Sequence, residues 1–371
     1  VLAALPGSRL VGGCVRDALA GSEITDIDLG TPDPPDQVLR ALAGIGVRAL
    51  ATGLEHGTIT ALAGGRALQI TTLRRDVATD GRHAEVAWAR DWREDAARRD
   101  FTINAMSMTP AAEVFDYFDG RSDLAAGIVR FVGDPARRIA EDYLRVLRFF
   151  RFQARYARRP ADAAALAAIA AGVPGLARLS AERVWSELKR ILAAPDPVAS
   201  VALMARLGVL RAVLPEAGDT DRLAALVAGG APADPLLRLA ALLDPGAVVP
   251  AERLRLAGAE AATLEALRAG PVPQGDDAAL RRALADTPAE ILIGRSWLAD
   301  PGPLAAGLRA RLAALQRPRF PLEGRDVLAL GLPPGPAVGQ KLRQVRDWWL
   351  AGGCVADAAA CRAELARLVS G

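Results

Sequence analysis

Apolar and polar positions follow one rhythm over the first 130 residues and another beyond residue 157. Gly12 to Ala20 reads as a turn and short helix, and 24–29 as a strand. Pro35 to Ala43 reads as a helix with Asp33 as its N-cap. Three β-like runs follow at 47–50, 57–63 and 66–72, the last two joined around Gly64-Gly65, a hairpin signal. Residues 73–84 are polar, poor in apolar side chains, and read as a mobile loop. In 95–108, Arg99, Asp100 and Asn104 interrupt an apolar helical run, and positions 100 and 104 share a helix face. The stretch from Val114 reads as a strand ending in the Gly120 turn, and 129–132 as another short strand. Asp134 and Pro135 have the N-cap and first-turn chemistry of a helix start. The helix predicted there carries Asp142, Arg145 and Arg148 on one side and Leu144, Leu147 and Phe150 on another. Beyond residue 157 alternation stops. Ala-rich helical patterns recur at 161–172, 181–193, 197–214, 221–229, 234–243, 250–268, 277–296 and 301–316, separated by Pro and Gly. Ser180 is placed to cap one of them. Gly335-Pro336 opens a last helix whose basic residues suit an RNA phosphate or an ordinary cap.

Composition narrows the class. A chain of 371 residues exceeds one compact core and points to two to four domains. Its apolar content is rich in alanine with only 5% aromatics, which favours helix. The net charge of +3 is small, but Lys189 and Lys341 are the only lysines, so the basic side chains are nearly all guanidinium forks. Three cysteines without a CxxC pair argue against a disulfide scaffold or zinc site, and two histidines cannot build a His-rich metal centre. No apolar run has the roughly 18 residues of a membrane span, and no signal-peptide pattern opens the chain. The expectation is a cytoplasmic protein without a membrane or an obligate protein partner.

Two stretches carry candidate chemistry. Asp26 and Asp28, two apart on a predicted strand, project to one face, where hard divalent cations could sit between them. Just before them, the Gly12-Gly13 turn lets backbone N–H groups approach an anion. Each feature alone fits a tight turn or a solvated edge strand better than a site; together they suggest a nucleotide and metal site. The Asp100 and Asn104 side chains suit ribose hydroxyls, or else belong to a surface ion pair. A dinucleotide-binding Rossmann site is excluded because no GxGxxG follows a strand.

Laid end to end, these stretches resemble the class II tRNA nucleotidyltransferases, the CCA-adding enzymes and their bacterial poly(A) polymerase relatives. Val11-Gly12-Gly13-Cys14-Val15-Arg16-Asp17 with Asp26-x-Asp28 is similar to the first family motif. Arg98-Arg99-Asp100-Phe101-Thr102-Ile103-Asn104-Ala105 resembles the second, Asp116-x3-Gly120-x2-Asp123 the third, Glu141-Asp142-x2-Arg145-x2-Arg148 the fourth and Glu182-Arg183 the core of the fifth. Ile139 departs from the aromatic residue usual ahead of the Glu-Asp pair. The resemblance implies an α+β fold: a mixed-sheet palm head over 1–134, then a helical neck (135–195), body (196–316) and tail (317–371), the tail binding tRNA. It implies template-independent addition of CMP, CMP and AMP to a tRNA 3′ end from CTP and ATP. Asp26 and Asp28 would be catalytic and hold two Mg²⁺ ions. Gly12, Gly13 and Arg16 would hold the triphosphate; Arg99, Asp100 and Asn104 the ribose and phosphates. Asp142 and Arg145, with Arg148 beside them, would select the base, and Glu182 and Arg183 would brace the neck. The motifs fit a poly(A) polymerase or a CC- or A-only enzyme equally, but no stretch resembles the insertion of the proteobacterial poly(A) polymerases, which favours CCA addition. A non-catalytic RNA binder is the alternative of another class. No histidine lies beyond His83, so the added phosphohydrolase domain of some members is not expected.

Overall fold

The computed structural model describes residues 1–370 apart from 25, 55, 56 and 80–83, with backbone only at 52, 76–79 and 84–86. The chain divides into two compact units, Val1–Pro215 and Glu216–Gly371. His56 and His83 lie outside the described residues.

The first unit begins with a sheet. Its strands are β1 (Arg9–Val11), β2 (Asp28–Thr31), β3 (Arg48–Gly53), β4 (Thr58–Ala63) and β5 (Arg66–Thr72), and a separate hairpin is formed by β6 (Arg74–Thr79) and β7 (Ala84–Trp88). β8 (Met106–Met108) and β9 (Val114–Asp116) complete the seven-stranded order β3-β4-β5-β2-β1-β8-β9. Only β2 and β5 run parallel; the other neighbours are antiparallel. The β4–β5 turn is two residues long because Gly64 and Gly65 both take positive φ, as a tight hairpin turn requires. Helix α1 (Gly13–Leu19) follows β1, and α2 (Pro35–Gly44) buries Val38 and Leu42 with Leu29, Ile59, Ala61 and Ile70. Helices α3 (Trp92–Ala97) and α4 (Gly120–Ala126) flank β8 and β9 in sequence.

The rest of the unit is helical: α5 (Pro135–Glu141), α6 (Leu144–Tyr156), α7 (Ala163–Gly172), α8 (Ala181–Leu192), α9 (Val198–Arg206) and α10 (Val209–Val213). Ser180 caps α8 and Asp134 caps α5, as predicted. An aromatic cluster of Phe101, Phe131, Phe149, Phe150 and Phe152 joins α6 to the segment after α3, with ring centroids 4.8–6.2 Å apart. The second unit is α11 (Asp221–Ala228), α12 (Pro235–Leu242), α13 (Gly258–Arg268), α14 (Asp277–Asp286), α15 (Ala289–Ala299), α16 (Ala306–Ala314), α17 (Gly324–Leu328), α18 (Pro336–Ala351) and α19 (Ala358–Ser370). Trp349, Val345, Cys361 and Leu365 form one of its cores. Among the described residues no helix is long and apolar enough to cross a membrane.

Several local expectations change. Of the loop expected over 73–84, residues 74–79 instead pair with 84–88 as β6 and β7, while 80–83 lie outside the described residues. Asp33 does not cap α2, whose N-cap is Pro34; its carboxylate instead accepts from the Thr31 hydroxyl at 3.0 Å. The predicted strand at 129–132 reduces to one bridge between Phe131 and Phe101. The helix predicted through Asp142 breaks there: Asp142 is extended, with φ −155° and ψ 108°. Patterns 197–214 and 277–296 each split in two, at Leu207-Gly208 and Thr287-Pro288.

Candidate active site

Gly12 is where β1 hands over to α1. It holds φ 70° and ψ −123°, and a Cβ there would lie 2.7 Å from Arg99 Nη1. The positive φ thus calls for glycine, and the Arg99 guanidinium packs directly on the turn. At Gly13, by contrast, a Cβ would meet nothing closer than Arg16 Nη2 at 3.6 Å. Arg16, in the first turns of α1, is buried. Its Nε and Nη2 donate to the Asp17 carboxylate at 3.0 Å, and Nη1 donates to Asn104 Oδ1 at 2.5 Å. The guanidinium also lies 4.9 and 4.8 Å from the Phe152 and Tyr156 ring centroids, and the Tyr156 hydroxyl donates to Asp17.

Asn104 continues the chain of contacts. Its Nδ2 donates to Asp100 Oδ1 at 3.0 Å, and Arg148 Nε donates to Asp100 Oδ2 at 2.5 Å. Asp100 and Asn104 do not share a helix face, as the sequence suggested. The α3 helix ends at Ala97, and a 3-10 turn at Thr102–Asn104 brings the two together. From Arg148 the line reaches Glu187 on α8 at 4.0 Å, which also sits 3.2 Å from Arg151 and 3.8 Å from Arg190. Burial, with the Arg148 charge next in size, lowers the Arg151 pKa to about 10. Arg98 and Arg99 are both held by the buried Asp95, at 2.7 and 3.0 Å.

Burial alone would raise the carboxyls of Asp95 and Asp100. The guanidinium groups of Arg99 and Arg98, and of Arg148 with the Asn104 amide, outweigh it and hold both below the usual carboxylate range. A carboxyl lowered in the fold stabilises it fully above the unfolded pKa, about 3.9, and loses that contribution as pH falls through the folded value. Urea midpoints are therefore expected to hold from pH 7 to about 5 and to fall progressively below about pH 4. Asp95→Asn should be less stable at pH 7 and show a shallower acid dependence; an unchanged acid slope would contradict this account.

Asp28 begins β2 and is half-buried, and Asp26 lies two residues before it, exposed and outside the strand. Burial raises the Asp28 carboxyl, Asp26 pushes it the same way, and Arg99 opposes them. The hard oxygen donors of this carboxylate pair fit a divalent cation. No third His, Cys, Asp or Glu joins them among the described residues, so a cation held here takes its remaining ligands from water and phosphate oxygens.

Asp142 and Arg145 stand at the break between α5 and α6. Asp142 Oδ1 accepts from the Leu144 N–H at 3.0 Å and Oδ2 from Arg183 at 2.7 Å. Arg145 donates to Glu141 at 2.6 Å, to the Arg138 carbonyl at 2.9 Å and to the Arg98 carbonyl at 3.2 Å. Both groups act electrostatically on the preceding network: Arg145 helps lower Asp100, and Asp142 helps raise Arg148. The third motif is structural in its contacts. Asp116 accepts from the Phe118, Gly120 and Arg121 N–H groups, and Asp123 accepts from the Thr102 hydroxyl at 2.7 Å. A Cβ at Gly120 would come within 2.2 Å of the Thr102 carbonyl, so this turn packs directly on the segment carrying Asn104.

Comparison with known proteins follows the same lines. The profile of the poly A polymerase head domain matches residues 8–130, and that of the probable RNA and SrmB-binding site of polymerase A matches 162–219. The mitochondrial CCA tRNA nucleotidyltransferase 1 of Mus musculus is 36% identical over 93% of this chain and 83% of its own length. The chain belongs to the tRNA nucleotidyltransferase and poly(A) polymerase family. Another member, the CCA-adding enzyme of Streptococcus gordonii, is 40% identical over 50% of this chain and 46% of its own. The crystal structure of the Bacillus stearothermophilus CCA-adding enzyme in complex with CTP superposes with a TM-score of 0.79 at 26% identity, covering all of this chain and 96% of that one.

Around the family motifs, sequence reading missed three side chains. Asp95 has a legible signal, since it precedes Arg98 and Arg99 by three and four residues. Tyr156 and Glu187 have none; they reach the site only because α6 and α8 pack against it.

Proposed function

We propose that this chain is a CCA-adding tRNA nucleotidyltransferase, transferring CMP, CMP and AMP from CTP and ATP to a tRNA 3′ end and releasing pyrophosphate. The observation that carries this reading is the carboxylate pair Asp26/Asp28 beside the Gly12 turn and Arg99, in a chain that aligns along nearly its whole length with a CCA tRNA nucleotidyltransferase. The four-part division into a head to residue 134, neck to 195, body to 316 and tail beyond belongs to the same reading.

Asp26 and Asp28 would hold divalent metal, two Mg²⁺ ions in this proposal. When bound, such ions activate the attacking 3′-hydroxyl and neutralise the charge developing on the leaving pyrophosphate. The remaining work falls to side chains that position. The N–H groups at the start of α1 and the Arg16 and Arg99 guanidiniums face the triphosphate. Asn104, oriented by Arg16 and Asp100, meets the ribose. Arg148 holds Asp100 in place.

Asp142 and Arg145 would choose the base. Cytosine and adenine each place an amino donor beside a ring-nitrogen acceptor, which a carboxylate and a guanidinium complement. Uracil and guanine reverse that pattern. Arg183 holds one Asp142 oxygen at 2.7 Å, which restricts the direction in which the other lone pairs face.

The decisive experiment incubates the chain with a tRNA lacking its terminal CCA, CTP and ATP. Growth by C, C and A and then arrest is the expected product. A long A tail would assign a poly(A) polymerase instead, and addition of only C or only A a specialist enzyme. No extension under any metal would leave an RNA-binding protein.

A further inference from the structure

At the end of α1 opposite Gly12 lies a concavity of about 660 Å³, within the roughly 300–1,000 Å³ of pockets that hold small ligands. Its walls come from the last turn of α1 (Leu19, with Ala20), Ser22, α4 (Arg121, Ser122, Leu124) and the end of α6 (Arg155, Tyr156), with Arg158 just beyond. No carboxylate lines it. Three helices end here, so backbone carbonyls place partial negative charge at the rim. Arg158 answers that charge: its Nη2 donates to the Leu124 and Ala125 carbonyls at 3.1 and 2.8 Å. Arg121 and Arg155 remain. Both are exposed, and neither side chain has an ion pair among the described residues; Arg155 has only the Tyr156 ring, 5.6 Å away. Two whole positive charges thus face a space with serine hydroxyls and apolar side walls.

We propose that this cavity receives the phosphodiester backbone of the RNA strand whose 3′ end is extended, a reading that rests on the proposed tRNA activity. The charge calls for phosphate, since exposed guanidiniums without counter-ions bind phosphate oxygens in a bidentate fork. The apolar walls of Leu19, Leu124 and Tyr156 suit sugar and base surface rather than a free ion. The cavity also shares a wall with the nucleotide side. Tyr156 faces the cavity, and its ring lies against Arg16 while its hydroxyl holds Asp17. Ser22, on the rim, is tied to α1 through its N–H to the Asp17 carbonyl at 2.9 Å, and the chain runs from there to Asp26 and Asp28. An RNA strand seated here is thereby coupled to α1 and the nucleotide side through Tyr156 and Ser22.

The test is the double variant Arg121→Ala/Arg155→Ala, which leaves the helix-capping Arg158 intact. Its control is Arg48→Ala/Arg66→Ala, which removes the same charge from exposed positions on β3 and β5. Binding of tRNA lacking CCA is followed by fluorescence anisotropy from 50 to 300 mM salt, alongside KM for tRNA and for CTP. In the cavity variant, tRNA affinity is expected to fall by about tenfold or more, with the slope of log K against log salt reduced by about two. KM for CTP should stay within twofold, and the control should bind tRNA like the parent. Equal losses in cavity and control variants, an unchanged salt slope, or a rise in KM for CTP matching that for tRNA would overturn the proposal. Because anisotropy reads RNA binding directly, a chain that binds tRNA through this cavity but extends nothing would refute the enzymatic reading alone.

Discussion

Asp28→Asn is expected to lower nucleotide incorporation by roughly 10³-fold or more while leaving the fold intact. The activity loss follows from removing one of two oxygen-donor side chains where charge must be neutralised in the transition state, a contribution of several kcal/mol. The fold should survive because Asn has the same shape at the head of β2, and because burial and Asp26 already disfavour the Asp28 charge. Removing one of two neighbouring like charges should leave thermal stability unchanged or slightly raised. Single-turnover CMP addition and a melting curve, measured on one preparation, check both halves. Activity within tenfold of the parent would remove the carboxylate pair from the chemistry, and loss of activity with loss of folding would leave the result structural.

The second large effect is on fidelity. Asp142→Ala is expected to raise incorporation of UTP and GTP relative to CTP and ATP by roughly 5- to 150-fold, which corresponds to the 1–3 kcal/mol cost of an unpaired buried polar group. The substitution has a structural side. It removes the acceptor for the Leu144 N–H at the start of α6 and leaves Arg183 without its carboxylate. Part of any loss in overall rate, and about 1 kcal/mol of stability, therefore belongs to the helix start. Asp142→Asn separates the two, since its amide oxygen keeps the cap while its NH₂ now donates where the carboxylate accepted. Competition assays with all four nucleotides should show relaxed preference in both variants. A preference unchanged from the parent in both would move base selection elsewhere, with Arg145 the next residue to replace.

Much of the site is legible in the order of residues because its parts are local. The Gly12 turn, the cap at Asp134, the Gly64-Gly65 hairpin and the pairing of Asp95 with Arg98 and Arg99 all join residues within a few positions. Spacing along a single chain is enough to specify them. Even where the predicted element is wrong, the contact can survive: Asp100 and Asn104 meet through a 3-10 turn rather than a helix face. The hairpin at β6–β7 is missed for the opposite reason. Its residues do not alternate (Arg74-Arg75-Asp76-Val77-Ala78-Thr79), so the sequence carries no period-2 signal, and the pairing is visible only in the backbone register. The break at Asp142 is likewise invisible to periodicity, because Glu141 and Arg145 keep helical spacing across it. The carboxylate decides the break by choosing the Leu144 N–H and, from α8, Arg183.

By itself, then, the sequence determined the family, the mixed sheet followed by helices, and the residue types able to hold metal, phosphate and base. Only the tertiary structure decided which partner each charge takes. Arg148 could have been one more solvated arginine on an amphipathic helix; packing of α6 on the turn after α3 makes it the cation of Asp100, and packing of α8 adds Glu187. Tyr156 reaches Asp17 across 139 residues of chain. The physical reason is that burying a charge is costly unless it is paired, and pairs between distant elements are set by how those elements pack. Packing likewise sets what surrounds the first motif: Arg99 lies against Gly12, Arg16 against the Phe152 and Tyr156 rings, and at the far end of α1 stand two arginines without an ion pair among the described residues.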